Sequence, residues 1–161
     1  MVAIRQATLG DLDKVSEIES ICFPRSQACS KEQFQKRLRA YPNHFWILEQ
    51  ENKIIAFANG FCTNQKELTD EMYEKPSLHD EKGAYQMIFG LNTLPEYRKK
   101  GYASKLIQTI IEQAKAQGRK GVILTCLKEK IAFYEHLGFE NQGVSSSVHG
   151  DVCWYQMIRR L

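Results

Sequence analysis

Apolar and polar positions along the chain follow two periods, one of 3.6 and one of 2. In "PEYRKKGYASKLIQTIIEQAKAQG", Ala103, Leu106, Ile107, Ile110, Ile111 and Ala114 recur at the spacing of one helix face, and Gly118 stops the run. "VAIRQAT" alternates as a short strand, and the next helix carries Leu12, Val15, Ile18 and Ile21 on its inner side. Ser30 opens "SKEQFQKRL" with a Ser-x-x-Gln capping pattern; Phe34 and Leu38 face inward and Pro42 closes the helix. "HFWILE" and "KIIAFANGFC" flank the polar turn "QENK", which predicts a β-hairpin. Residues 63–83 are polar, with a short helix expected near "ELTDEMY". "AYQMIFGLNT" and "GVILTC" are strand-like, "KEKIAFYEHLG" is a short helix ending on Gly138, and "FENQG" and "DVCWYQMI" close the chain as strands. The order βααββ, loop, βαβαββ predicts a mixed α/β sheet. No repeat or Pro/Gly/Ser-rich linker divides residues 1–161, so a single domain is expected.

Composition narrows the class. With 43% hydrophobic and 25% charged residues, the 161-residue chain has enough apolar material for a real core. A net charge of +3 is too small to point to nucleic acid as a partner. Five scattered cysteines, never spaced as CxxC, argue against a disulfide framework and a zinc site, so no metal is expected. No signal-peptide-like or membrane-spanning apolar run is present, which makes the cytoplasm the expected location.

One feature of the long helix runs against its own electrostatics. Helix N-termini favour Ser, Thr, Asp or Asn and acidic first turns, yet this one is expected to begin with Arg98, Lys99, Lys100 and Gly101. Free amides and the helix dipole already attract anions there. The added cations suit a ligand with several negative charges, such as a pyrophosphate; the plainer alternative is a solvated basic turn. Neither GxxxxGK[ST] nor GxGxxG is present, so nucleotide-type phosphate motifs do not account for the run.

"LNTLPEYRKKGYASKLI" resembles the acyl-CoA-binding signature of the GNAT superfamily of N-acetyltransferases, with its core as Arg98-x-x-Gly101-x-Ala103. "AFYEHLGFE" is similar to the second motif of that superfamily. "IESICFP", "ELTDEMY" and "LHDEKGAY" extend the likeness towards the serotonin (arylalkylamine) N-acetyltransferase branch. The resemblance implies a GNAT fold: a mostly antiparallel sheet of six to seven strands, splayed between strands 4 and 5, with about four helices. Acetyl-CoA would lie in the gap. Its pantetheine would run along the backbone of Leu91, Asn92 and Thr93. Its pyrophosphate would sit on Arg98 and the amides of Lys99, Lys100, Gly101, Tyr102, Ala103 and Ser104.

The implied reaction is acetyl transfer to a small primary amine, of arylalkylamine or polyamine type, by direct attack on the thioester. Such chemistry needs a neutral amine, stabilisation of an oxyanion and a proton for the leaving thiolate. A backbone N–H near Leu91 is a candidate for the second need, and Tyr134 is the family's candidate acid for the third. An alkylamine of pKa ~10 is only about one part in a thousand neutral at pH 7, so a base or water relay would help. The histidine pair of the animal enzymes of the branch is replaced here by Met87 and Phe89. Among the four histidines, His79 lies in the loop before the strand, while His44, His136 and His149 read as peripheral.

Phe23 and Pro24 match a segment that closes over the amine, and Trp154 matches an aromatic position on a late strand. Either an aromatic acceptor wall or ordinary core packing accounts for them. Glu67, Asp70, Glu71, Glu74, Asp80 and Glu81 form an acidic loop that would attract a cationic amine, or is merely solvated. Cys126 reads as a packing residue rather than a nucleophile. Two alternatives stay open: a protein N-terminal or lysine acetyltransferase of the same fold, and a non-catalytic acyl-CoA-binding module. The expected assembly is a monomer or homodimer.

Overall fold

The structure, a computed structural model, describes residues 1–161. They form two compact units, residues 1–60 with 90–107, and residues 61–89 with 108–161.

The first unit contains an antiparallel four-stranded sheet of order β1-β2-β3-β6, built from β1 (Val2–Gln6), β2 (Phe45–Gln50), β3 (Lys53–Asn59) and β6 (Gly90–Thr93). The β2–β3 hairpin turns through Glu51 and Asn52, both at positive φ (51° and 65°), the backbone twist that a two-residue turn requires. Helices α1 (Leu12–Cys22) and α2 (Lys31–Ala40) pack their apolar sides on this sheet. Ser30 caps α2 by accepting from the Gln33 N–H at 3.2 Å. Phe34, from α2, meets Phe45 and Phe57 edge-on at centroid distances of 5.9 and 5.7 Å. Val15, Ile18, Leu38 and Ile47 complete that core. At the sheet edge, Arg5 donates to both carboxylate oxygens of Asp11 at 2.9 Å and to Glu49 at 2.9 Å.

Ile21 was expected on the inner side of α1 and is instead 51% exposed. Steps of three residues fall about 60° short of a full turn each, so a walk from Val15 through Ile18 leaves the buried arc by Ile21. Glu19 occupies that arc and is 6% exposed.

The second unit holds a five-stranded sheet of order β4-β5-β7-β9-β8. Its strands are β4 (Cys62–Thr63), β5 (Tyr85–Ile88), β7 (Gly121–Cys126), β8 (Glu140–Val144) and β9 (Tyr155–Arg160). Only the β5–β7 pairing is parallel. Short helices α3 (Asp70–Glu74) and α5 (Ile131–His136) belong to this unit; α4 (Tyr102–Ala116) buries Leu106, Ile107, Ile110, Ile111 and Ala114 as its pattern predicts. Gly83 admits no side chain, since a Cβ there would lie 2.4 Å from the Thr63 backbone nitrogen.

The fold is the mixed α/β arrangement expected, with nine strands in two sheets and five α-helices where six to seven strands and about four helices were anticipated. The expected single strand "AYQMIFGLNT" is interrupted at Phe89: β5 pairs with β7, whereas β6 pairs with β3. The final strand starts later than "DVCWYQMI" suggested, at Tyr155, because Gly150 and Asp151 adopt positive φ (66° and 56°), which a strand does not accommodate.

Phe34 is the keystone of the first core. Phe34→Ala is expected to lower unfolding stability by about 3–5 kcal/mol, read from urea denaturation followed by circular dichroism.

Candidate functional site

Strand β6 places Leu91, Asn92 and Thr93 opposite Ala58, Phe57 and Ala56 of β3. A 3-10 turn (Pro95–Tyr97) follows, and then the basic residues. Lys99 and Gly101 have φ of 64° and 84°, left-handed values that no α-helix accommodates. Arg98, Lys99 and Lys100 therefore precede α4 rather than forming its first turn, which corrects the expected start; the helix begins at Tyr102. No protein atom lies within 4 Å of where a Gly101 Cβ would be, so conformation rather than crowding demands glycine and the space beside it is open.

The first backbone bond of α4 runs from the Lys105 N–H to the Gly101 carbonyl at 3.1 Å. The amides of Tyr102, Ala103 and Ser104 thus have no intrahelical acceptor, and no side chain caps them. The nearby cations find no carboxylate: Arg98 Nε donates to the Thr93 carbonyl at 3.1 Å, and Lys100 Nζ lies 5.6 Å from the centre of the Tyr97 ring. Open amides beside three side-chain cations suit an anion such as a diphosphate. The Arg98 contact also ties this turn to the end of β6.

Tyr134 lies in α5, 8% exposed, with its ring edge-on to Phe139 at 5.7 Å. Its hydroxyl makes no hydrogen bond within the protein. Burial, with a smaller contribution from the Cys126 thiol, pushes the phenol well above its ordinary range, so it keeps its proton near neutrality. Burial likewise raises the Cys126 thiol to about 11, as befits a packing residue rather than a thiolate nucleophile.

Phe23 ends α1 and is half-buried, and Pro24 is exposed; the Pro24 carbonyl accepts from the Gln27 and Ala28 amides at 2.9 Å, folding the following loop. Trp154 precedes β9 instead of lying on it, because β9 starts only at Tyr155. Its Nε1–H donates to the His149 carbonyl at 2.7 Å. From there a row of rings runs through the second unit: Trp154 to His149 at 6.2 Å, His149 to Tyr73 at 5.1 Å, Tyr73 to Phe89 at 5.3 Å and Phe89 to Phe61 at 4.9 Å. The Tyr73 hydroxyl also lies 3.3 Å from Thr125 Oγ1 on β7.

Sequence reasoning missed Tyr73 and treated His149 as peripheral, because two loops distant in the chain create the row. His44 was also read as peripheral and is 1% exposed, edge-on to Trp46. His136 is exposed, as expected. His79 accepts from the Cys62 N–H through Nδ1 at 3.1 Å and faces Glu81 through Nε2 at 3.1 Å. Both its nitrogens thus have structural work.

The acidic loop is largely committed to the fold. Glu67 accepts from Ser146 at 2.6 Å, and Asp70 accepts from Ser147 and from the Val148 N–H. Glu71 pairs with Lys75, and Glu81 with the buried Arg119. Such carboxylates order loops more than they attract a free cation.

The model of the acetyltransferase (GNAT) family matches residues 12–139. The chain belongs to the GNAT family. Members of this family are acetyl-CoA-dependent acyltransferases. The chain is 44% identical over 125 residues to the uncharacterized N-acetyltransferase YjgM of Escherichia coli (strain K12), a match covering 74% of this chain and 66% of that protein. It therefore spans just under two thirds of that relative's length. Its fold is similar to the loading GNATL domain of CurA from Lyngbya majuscula, with a TM-score of 0.87 and 17% identity over 99% of this chain and 98% of that one. It is also similar to the GphF GNAT-like decarboxylase in complex with isobutyryl-CoA, with a TM-score of 0.79 and 21% identity over 98% of each chain. No helix is long and apolar enough to cross a membrane.

The buried thiols yield a pH expectation. Burial raises Cys126 and Cys29 to about 11 and Cys62 to about 12, from an ordinary 9.0. Below pH 9 both folded and unfolded chains keep these protons and stability is unaffected. Above it the unfolded chain ionises first, so stability falls as pH rises towards 11–12. A melting temperature that drops steadily above pH 9, measured by differential scanning calorimetry, is the expected result.

Proposed function

We propose that this chain is an acetyl-CoA-dependent N-acetyltransferase, cytoplasmic and built as one catalytic domain, whose acceptor is a small primary amine of the arylalkylamine type. The open amides of residues 102–104, beside three cations without carboxylate partners, carry this reading. Acetyl-CoA, when bound, supplies the activated acetyl thioester that the amine attacks. Arg98 and the amides from Lys99 to Ser104 would hold its diphosphate, and the backbone of Leu91, Asn92 and Thr93 would bind its pantetheine. Tyr134, kept neutral by burial, would supply a proton to the leaving thiolate. The row formed by Tyr73, Phe89, His149 and Trp154 supports an aromatic rather than a polyamine acceptor, since the neighbouring carboxylates are engaged elsewhere. Phe23 and Pro24 contribute to acceptor binding in the same reading.

Calorimetry tests the cofactor half directly. Acetyl-CoA should bind the wild-type protein and bind more weakly as salt is raised. Arg98→Ala should weaken it about tenfold, the worth of one charge-assisted hydrogen bond. Wild-type protein that binds no acetyl-CoA would remove the proposal.

The chemical half is read from CoA release against arylalkylamines, polyamines and peptides with a free α-amine. Tyr134→Phe should cut turnover by about two orders of magnitude or more while acetyl-CoA affinity changes little. Unaltered turnover would strike Tyr134 from the mechanism. Release driven by peptides alone would move the acceptor to protein, and binding without any amine-stimulated release would leave an acyl-CoA-binding module.

A further inference from the structure

Glu19 is a carboxylate in an expensive place. It is 6% exposed and sits in the last turn of α1, where the helix dipole disfavours negative charge. Burial of a carboxylate costs several kcal/mol unless hydrogen bonds replace its water, and Glu19 is given such bonds from two directions. Asn92 Nδ2, on β6, donates to Oε1 at 2.7 Å. The Cys29 backbone N–H, in the loop after α1, donates to Oε2 at 2.7 Å. One turn further along the same helix face, the Cys22 thiol donates to the Thr93 carbonyl at 3.4 Å, the same carbonyl that receives Arg98 Nε. Asn92 is itself 1% exposed, and its Oδ1 is buried without a partner. Its amide nitrogen is bonded to Glu19. A buried acid and a buried amide, both costly alone, persist here as a pair.

We propose that Glu19 is a positioning residue: its carboxylate fastens the loop at residues 23–30 to the strand that holds the cofactor, setting where the acceptor stands. The inference rests on the acyl-transfer reading above and adds to it the coupling between acceptor loop and cofactor strand. The effect passes through Asn92, whose backbone would bind the pantetheine in that reading, and through Cys29, which anchors the segment containing Phe23 and Pro24. Only a group that accepts on both sides can serve. Glutamine keeps an oxygen for Asn92 but turns an NH₂ donor towards the Cys29 N–H, so one bond survives and the other becomes a donor–donor contact.

Glu19→Gln separates the two ties with little change of shape. In the protein without ligands, hydrogen exchange across residues 23–30 should quicken at least tenfold while the β2–β3 hairpin exchanges as before. In steady-state assays the KM for the amine should rise about tenfold, with the acetyl-CoA Kd within twofold of wild type. Asn92→Ala, and the double variant with Glu19→Gln, should raise the amine KM no further than the larger single change, as members of one linkage do.

Unchanged exchange in the loop, or additive KM effects, would overturn the clamp even in an active enzyme. A variant with a lowered melting temperature but unaltered KM would reduce Glu19 to a structural residue and overturn it equally. Should Glu19→Gln fail to fold, Asn92→Ala alone decides the question by the same exchange and KM measurements. Wild-type protein that binds no acetyl-CoA would instead defeat the acyl-transfer reading, while the exchange experiment still judges the tether by itself.

Discussion

Uncompensated positive charge at the turn before α4 is the constraint around which the rest is arranged. Three like charges next to a helix N-terminus repel one another and the dipole, each at a cost of a few tenths of a kcal/mol or more. The protein offers them a carbonyl and an aromatic face, neither of which neutralises charge. The turn is held in place nonetheless, because β6 is a full member of the four-stranded sheet and Arg98 is bonded to its last carbonyl. Stability in the first unit comes from the phenylalanine-rich core and from the Arg5–Asp11–Glu49 group.

Loops in both units are fastened by ionic groups as well as by apolar contacts such as Leu68 and Met72. In the first, Glu19 gathers Asn92 and the Cys29 amide. In the second, Arg119 donates to the Glu81 and Gly83 carbonyls while pairing with the Glu81 carboxylate, and Glu81 faces His79. Hydrogen bonds to charged groups are worth more than neutral ones and fix direction as well as distance. That suits segments which must be placed accurately.

Local signals were legible and remote ones were not. The inward face of α4, the Ser30 cap and the hairpin turn each depend on residues within a few positions of one another, and each was read from the chain. The interruption at Phe89 was invisible, because β5 and β6 share one apolar run and differ only in which distant strand they pair with. Ile21 misled because hydrophobicity was followed at a fixed step of three. His149 and Tyr73 became neighbours through two polar loops whose folding is settled by Asp70, Ser147 and Glu67 at separations of more than seventy residues. Glu19 lies within "IESICFP", but its structural role was not legible there: its partner is an amide on β6 seventy-three positions away.

The placement of the two tryptophans has a practical corollary. Trp46, 2% exposed, belongs to the first unit, and the half-exposed Trp154, leaning on His149, belongs to the second. Each unit thus carries its own natural fluorophore, one sealed from solvent and one beside an imidazole able to quench it. Emission colour and quencher accessibility can therefore distinguish events in one half of the chain from events in the other without any attached dye.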